Sequence, residues 1–156
     1  MDKKHKRLAR SLCLQILFAN NFSKNTFENL IDNFFNSDDA DLEENVFNNN
    51  QILYASKLFY ATIENEQNVD KLIEKKLVNW EMNRLATMDR MILRMALSEM
   101  IYIDEVPPKV SITEAVEIAK EFSSEDSSGF VNGIMDAIYN EIFVSKDKTL
   151  ISKRKN

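Results

Sequence analysis

Apolar residues along this chain recur mostly at three- and four-residue intervals rather than in alternation, which predicts amphipathic helices from end to end. The first spans about Lys3 to Phe22, with Leu8, Ala9, Leu12, Cys13 and Ile16 on its core side. Thr26 then serves as N-cap for a short helix carrying Phe27, Leu30, Ile31, Phe34 and Phe35. Residues 36–50 show no period and many Asn and Asp, so they read as an acidic loop and as the segment most free to move. A third helix puts Ile52, Ala55, Phe59 and Ile63 on one stripe, and Asn68 caps a fourth with Val69, Leu72, Ile73 and Leu77, ending near Trp80. Thr87 is placed to cap a fifth helix, with Asp89 in the first turn and Ile92, Met95, Ala96 and Leu97 on its apolar face; it must stop by Pro107. Ser111 and Glu114 form a capping box for a sixth helix that buries Ile112, Ala115, Val116, Ala119 and Phe122. The last starts near residues 126–128 and carries Phe130, Val131, Ile134, Met135, Ile138 and Ile142.

About seven helices with only two glycines and two prolines, the latter adjacent at Pro107 and Pro108, define an all-α protein. At 156 residues the chain is the size of one domain. The expected organisation is one helical domain over residues 1–145 and a basic, disordered tail over 146–156. A single cysteine, Cys13, precludes an internal disulfide, and no apolar secretory run opens the chain, so a reducing cytoplasm is the expected compartment. No stretch approaches the roughly 18 apolar residues of a membrane helix.

The net charge of −5 conceals a segregation. Residues 1–10 hold Lys3, Lys4, Lys6, Arg7 and Arg10 against Asp2, and residues 146–156 hold Lys146, Lys148, Lys153, Arg154 and Lys155 against Asp147, leaving −13 on the 135 residues between. Such a chain is repelled by a polyanion over most of its surface and held at its ends.

Catalysis is poorly served by this sequence. His5 is the only histidine, so neither a triad nor a histidine- and cysteine-based metal site can be assembled, and no cofactor is implied. Glycines only at 129 and 133 exclude a phosphate-cradling loop. Carboxylate pairs such as Glu64 and Glu66, or Asp38 and Asp39, lie where solvated charge is ordinary.

The basic amino-terminal helix is more informative. At 100° per residue Lys3, Lys6, Arg7 and Arg10 cluster away from the apolar side, and Leu14 and Phe18 continue that stripe. Cations at a helix N-terminus oppose its dipole at about 0.3–1 kcal/mol each, so stability alone does not place them there. Either they form a solvated end, or they grip phosphates while Phe18 offers a stacking surface for single-stranded RNA. In the segment SSEDSSGFVNG, residues 123–133, Ser127, Ser128 and Gly129 fall in a first helical turn whose N–H groups attract phosphate, with Glu125 and Asp126 opposing it. Gly133 inside an apolar-periodic helix points to tight helix packing.

The runs KRLARSLCLQILF, DRMILRMALSEMIY and DEVPPKVSITEAVEIAKEFSSEDSSGFVNGIMD together resemble the NusB family over nearly the whole chain, most weakly between residues 22 and 78 and after 144. The resemblance implies two packed three-helix subdomains and a transcription antitermination factor that binds boxA RNA with NusE, a protein also found in the small ribosomal subunit. It implies RNA contacts from Lys6, Arg7, Arg10 and Phe18, to which the helical stripe adds Lys3, and from a second patch at Asp126 and Phe130, beside Gly129; from their places on the first and last helices Phe18 and Phe130 are expected to form one RNA surface with the ridge. A NusE-facing patch is implied at Asp89, Arg90 and Leu93, along with a place in the transcription elongation complex. Gly129 stands where family members often carry lysine, and Phe18 where tyrosine is common. A homodimer would hide the ridge. Two other readings compete: an RNA-binding domain related to those of rRNA cytosine methyltransferases, and a helical adaptor that binds only protein.

Overall fold

A computed structural model of the chain describes residues 1–36, 47–78 and 81–145. Among the described residues seven α-helices are formed: α1 (Lys3–Phe22), α2 (Phe27–Phe35), α3 (Asn49–Glu64), α4 (Glu66–Lys76), α5 (Thr87–Tyr102), α6 (Pro108–Phe122) and α7 (Glu125–Tyr139). A 3₁₀ turn at Met82–Arg84 precedes α5, and a π-helical turn at Asn140–Val144 follows α7. The acidic stretch 37–46, Trp80 and the basic tail 146–156 lie outside the described residues. The chain divides into two compact units, Met1–Tyr60 and Ala61–Asn156, the boundary falling within α3.

In the first unit, α1 buries Ala9, Leu12, Cys13, Leu14, Ile16 and Leu17, with Cys13 0% exposed. Thr26 caps α2 as expected, its Oγ1 accepting from Asn29 N at 3.2 Å. Phe27 of α2 meets Phe59 of α3 at a ring separation of 5.5 Å. The Tyr60 hydroxyl accepts from Phe27 N (3.2 Å) and donates to Glu28 Oε2 (3.0 Å), tying the two helices. The expected loop ends before residue 47, because Phe47 is buried and Asn48 opens α3 through a reciprocal box: Gln51 N donates to Asn48 Oδ1 at 2.9 Å and Asn48 N to Gln51 Oε1 at 2.8 Å. The buried stripe of α3 is rotated from the expected one. Gln51, Tyr54, Ala55, Leu58, Phe59 and Thr62 are inside, whereas Ile63 is exposed and Ile52 half-buried.

In the second unit α5 is buried on nearly every side from Met91 to Ile101, with the polar Ser98 and Glu99 inside as well as the apolar residues. Helices α4, α6 and α7 pack against it. Arg94 of α5 reaches α4, donating from Nε and Nη2 to the two Asp70 oxygens, each at 2.8 Å, with Glu66 3.4 Å away. Burial disfavours the Arg94 charge, but the Asp70 hydrogen bonds and the two carboxylates outweigh it and raise its pKa above the ordinary value.

Three expected caps are corrected. Asn65, not Asn68, precedes α4; Asn68 lies inside the helix. Thr87 is the first residue of α5, with Ala86 at the cap position and no side-chain cap bond. The sixth helix starts three residues before Ser111, at Pro108, whose fixed φ suits a first helical position. Ser111 is buried instead and donates to Glu99 Oε1 at 2.8 Å. Gly133 does not mark a close approach, since a Cβ there would meet nothing within 4 Å.

Candidate nucleic-acid interface

The first unit carries the basic end of α1. Asp2 caps it, accepting from His5 N at 2.9 Å with His5 Nδ1 3.1 Å away, and the backbone bond from His5 is the main cause holding its carboxyl below the usual range. This acidic cap partly offsets the crowd of cations behind it. Lys3, Lys4 and His5 are exposed, and Lys6 and Arg7 half-buried. The ridge is braced from α3: Lys6 Nζ lies 5.4 Å from the Tyr54 ring centroid and Gln51 Nε2 donates to the His5 carbonyl at 3.3 Å.

Arg10 requires a correction. It is 3% exposed, and Leu14 on the same stripe is 0% exposed, so the ridge ends after Arg7. From Ala9 to Leu14 every residue of α1 is buried, which leaves no solvent face for the expected stripe to occupy. Arg10 makes contacts within the protein, and its aliphatic stem suits that setting. Phe18 is half-buried and meets Phe22 edge-on at 4.9 Å. Phe22 was not among the sequence candidates, yet its ring is the more available, at 71% exposure. The signal was present: Phe22 follows Phe18 by four residues, one helical turn, and precedes the polar run Ser23–Lys24–Asn25.

In the second unit the start of α7 brings Asp126 and Gly129 to the surface, with Phe130 half-buried. The adjacent serines are committed inward rather than to an anion. Ser124 Oγ caps the helix by accepting from Ser127 N at 3.0 Å, and Ser128 Oγ donates to the Glu125 carbonyl at 2.7 Å. Asp89, on α5, receives the rest: Ser123 Oγ donates to its Oδ1 at 2.9 Å and Ser127 Oγ to its Oδ2 at 3.0 Å. The SSEDSS run thus locks the α6–α7 connection to the first turn of α5.

That lock changes the expected partner patch. Asp89 is only 9% exposed and its carboxylate is turned to the serines, and Leu93 is 0% exposed in the core. Of the three partner candidates only Arg90, half-buried, retains access. Among the described residues no group of His, Cys, Asp and Glu is placed to hold a metal ion, and no helix is long and apolar enough to cross a membrane.

Comparison with known proteins agrees with this architecture. The chain is 40% identical over 149 residues to the transcription antitermination protein NusB of Chloroherpeton thalassium, covering 95% of this chain and 66% of that protein. Among solved structures, T. maritima NusB superposes with a TM-score of 0.74 at 32% identity, covering 87% of this chain and 91% of that one. The fold is shared with a structure of the antitermination factors NusB and NusE in complex with double-stranded RNA, at a TM-score of 0.76 and 24% identity, over 90% of this chain and all of that one. The sequence profile of the NusB family matches residues 7–140, and the chain belongs to the NusB family.

Proposed function

We propose that this chain is a transcription antitermination factor of the cytoplasm that binds single-stranded boxA RNA together with NusE and has no catalytic role. The observation that carries this reading is the cationic start of α1, where exposed Lys3 and half-buried Lys6 and Arg7 stand against the helix dipole on a chain that is otherwise acidic. Family membership, and the fold shared with a structure of NusB and NusE in complex with double-stranded RNA, support the RNA and NusE parts of this reading. Phosphates are gripped at the amino-terminal turns, and the Phe18–Phe22 pair, about 22 Å further along the helix by its rise per residue, offers rings for base stacking. In the second unit Asp126, Gly129 and Phe130 form the remaining RNA-facing patch. Arg90 contacts NusE, while Asp89 and Leu93 shape that surface from within.

The test is fluorescence anisotropy of a boxA oligonucleotide at several salt concentrations, with and without NusE. Lys3→Ala, Lys6→Ala and Arg7→Ala combined should weaken binding and flatten the log–log salt slope by about 2, at roughly 0.7 for each single-strand phosphate that is no longer neutralised. Phe22→Ala should lower affinity with little change in thermal midpoint. A triple variant with an unchanged salt slope removes α1 from the interface. Tighter binding to duplex than to single-stranded boxA would replace the single-strand reading.

A further inference from the structure

One cavity in the second unit is not used by the surfaces described so far. It lies between α4, the end of α5 and the π-helical turn, is lined by Asn68, Lys71, Leu72, Lys75, Ile101, Tyr102 and Ile142, and has a volume of about 210 Å³. Leu72, Ile101 and Ile142 are buried and give it an apolar floor. Tyr102 supplies an aromatic wall, and the Asn68 side chain lines the cavity beside it. Lys71 and Lys75, one helical turn apart, are exposed at the rim.

The charges around this cavity are sorted. On α4, Asp70 and Glu66 face Arg94, at 2.8 and 3.4 Å. Glu141, beside Ile142, is taken by Lys76 at 2.8 Å. Glu74, the remaining carboxylate of α4, is exposed and outside the lining. Among the described residues Lys71 and Lys75 have no ion-pair partner, so two ammonium groups stand at the mouth of an apolar, aromatic-walled cavity with nothing to neutralise them.

The complementary ligand has a flat, weakly polar body and an anionic end. The volume falls below the roughly 300–1,000 Å³ typical of sites for drug-sized molecules, which suits a single heterocycle better than a peptide segment. We propose that this cavity is a nucleotide-binding site, in which Lys71 and Lys75 hold a phosphate while the base stacks on Tyr102 with its edge toward Asn68. A free mononucleotide and one nucleotide of a bound RNA present the same chemistry. The RNA source rests on the function proposed above; the mononucleotide source does not.

The experiment is a titration of the ¹⁵N-labelled full chain, followed by amide chemical shifts, with adenosine 5′-monophosphate, inorganic phosphate and a single-stranded hexanucleotide in turn. Saturable shifts at Asn68, Lys71, Leu72 and Tyr102 are expected with the nucleotide or the hexanucleotide, and at least tenfold weaker binding in Lys71→Glu/Lys75→Glu. Both lysines are exposed, so that variant should keep its fold, and its circular dichroism checks this. Shifts with the hexanucleotide alone assign the site to the RNA chain; shifts with the mononucleotide as well assign it to either source. The combined Lys3→Ala, Lys6→Ala, Arg7→Ala variant separates the two readings, since it should lose ridge-dependent RNA affinity while keeping the mononucleotide shifts. The proposal is overturned if neither probe shifts these residues, if the double glutamate variant binds as well as the parent, or if inorganic phosphate binds as tightly as the nucleotide.

Discussion

Replacing Asp89 by alanine tests the lock between α5 and the α6–α7 connection. The carboxylate is 9% exposed and accepts two hydroxyl hydrogen bonds, at 2.9 and 3.0 Å. Hydrogen bonds to a charged group contribute about 1.5–3 kcal/mol each, and a carboxylate in a first helical turn adds about 0.3–1 kcal/mol through the dipole. Part of that sum is recovered in the variant. Ser123 and Ser127 hydroxyls stand 2.9 Å apart, and Ser124 and Ser127 hydroxyls 3.1 Å apart, so the serines can pair with one another rather than be orphaned. The carboxylate's own desolvation is also relieved. We expect a net loss of about 2 kcal/mol, equivalent to about 4–8 °C in thermal midpoint for a chain of this size. Urea denaturation followed by circular dichroism measures it, and a double-mutant cycle with Ser127→Ala should return a coupling of about 1 kcal/mol. A loss below about 0.5 kcal/mol, with no coupling to Ser127, would mean that the carboxylate is not structural. In that event reduced NusE affinity in an Asp89 variant would report a direct contact rather than a disturbed α5.

Two further outcomes follow from single positions. Gly133→Ala should stabilise the fold by about 0.5–1 kcal/mol, because helix propensity favours alanine and the added methyl group meets nothing within 4 Å; a destabilised variant in denaturant titration would contradict the open surroundings. Burial raises the Tyr102 phenol above its ordinary value of 10.0, so its contribution is complete below that pH and is lost as pH rises through the folded-state value. Stability of the parent and Tyr102→Phe compared from pH 9 to 11 should therefore show a steeper alkaline decline for the parent, and parallel curves would refute it.

The helices were legible because each repeats its apolar residues at helical spacing, and the span of α1 needed no revision. Errors arose where one local pattern serves two physical purposes. Ser111 and Glu114 have capping-box spacing, but a serine buried against Glu99 within a helix has the same spacing, and Pro108 was the better boundary signal. Asn48 and Gln51 perform the box chemistry with residues outside the usual Ser/Thr–Glu pattern. Periodicity assumes one buried face, so it placed Arg10 outside a helix whose middle is buried all round. The Asp89 network could not be read at all, since its partners lie 34 and 38 residues away and only tertiary packing brings them together.

Cys13 is the only thiol in the chain and has no accessible surface. A thiol-reactive reagent in bulk solvent therefore reaches it only when the helices around α1 part. Where reclosing outpaces the chemistry, the alkylation rate divided by that of an open thiol gives the population of the parted state directly. The molecule thus carries an internal gauge of how often α1 lets go of its surroundings, read from one covalent adduct per chain.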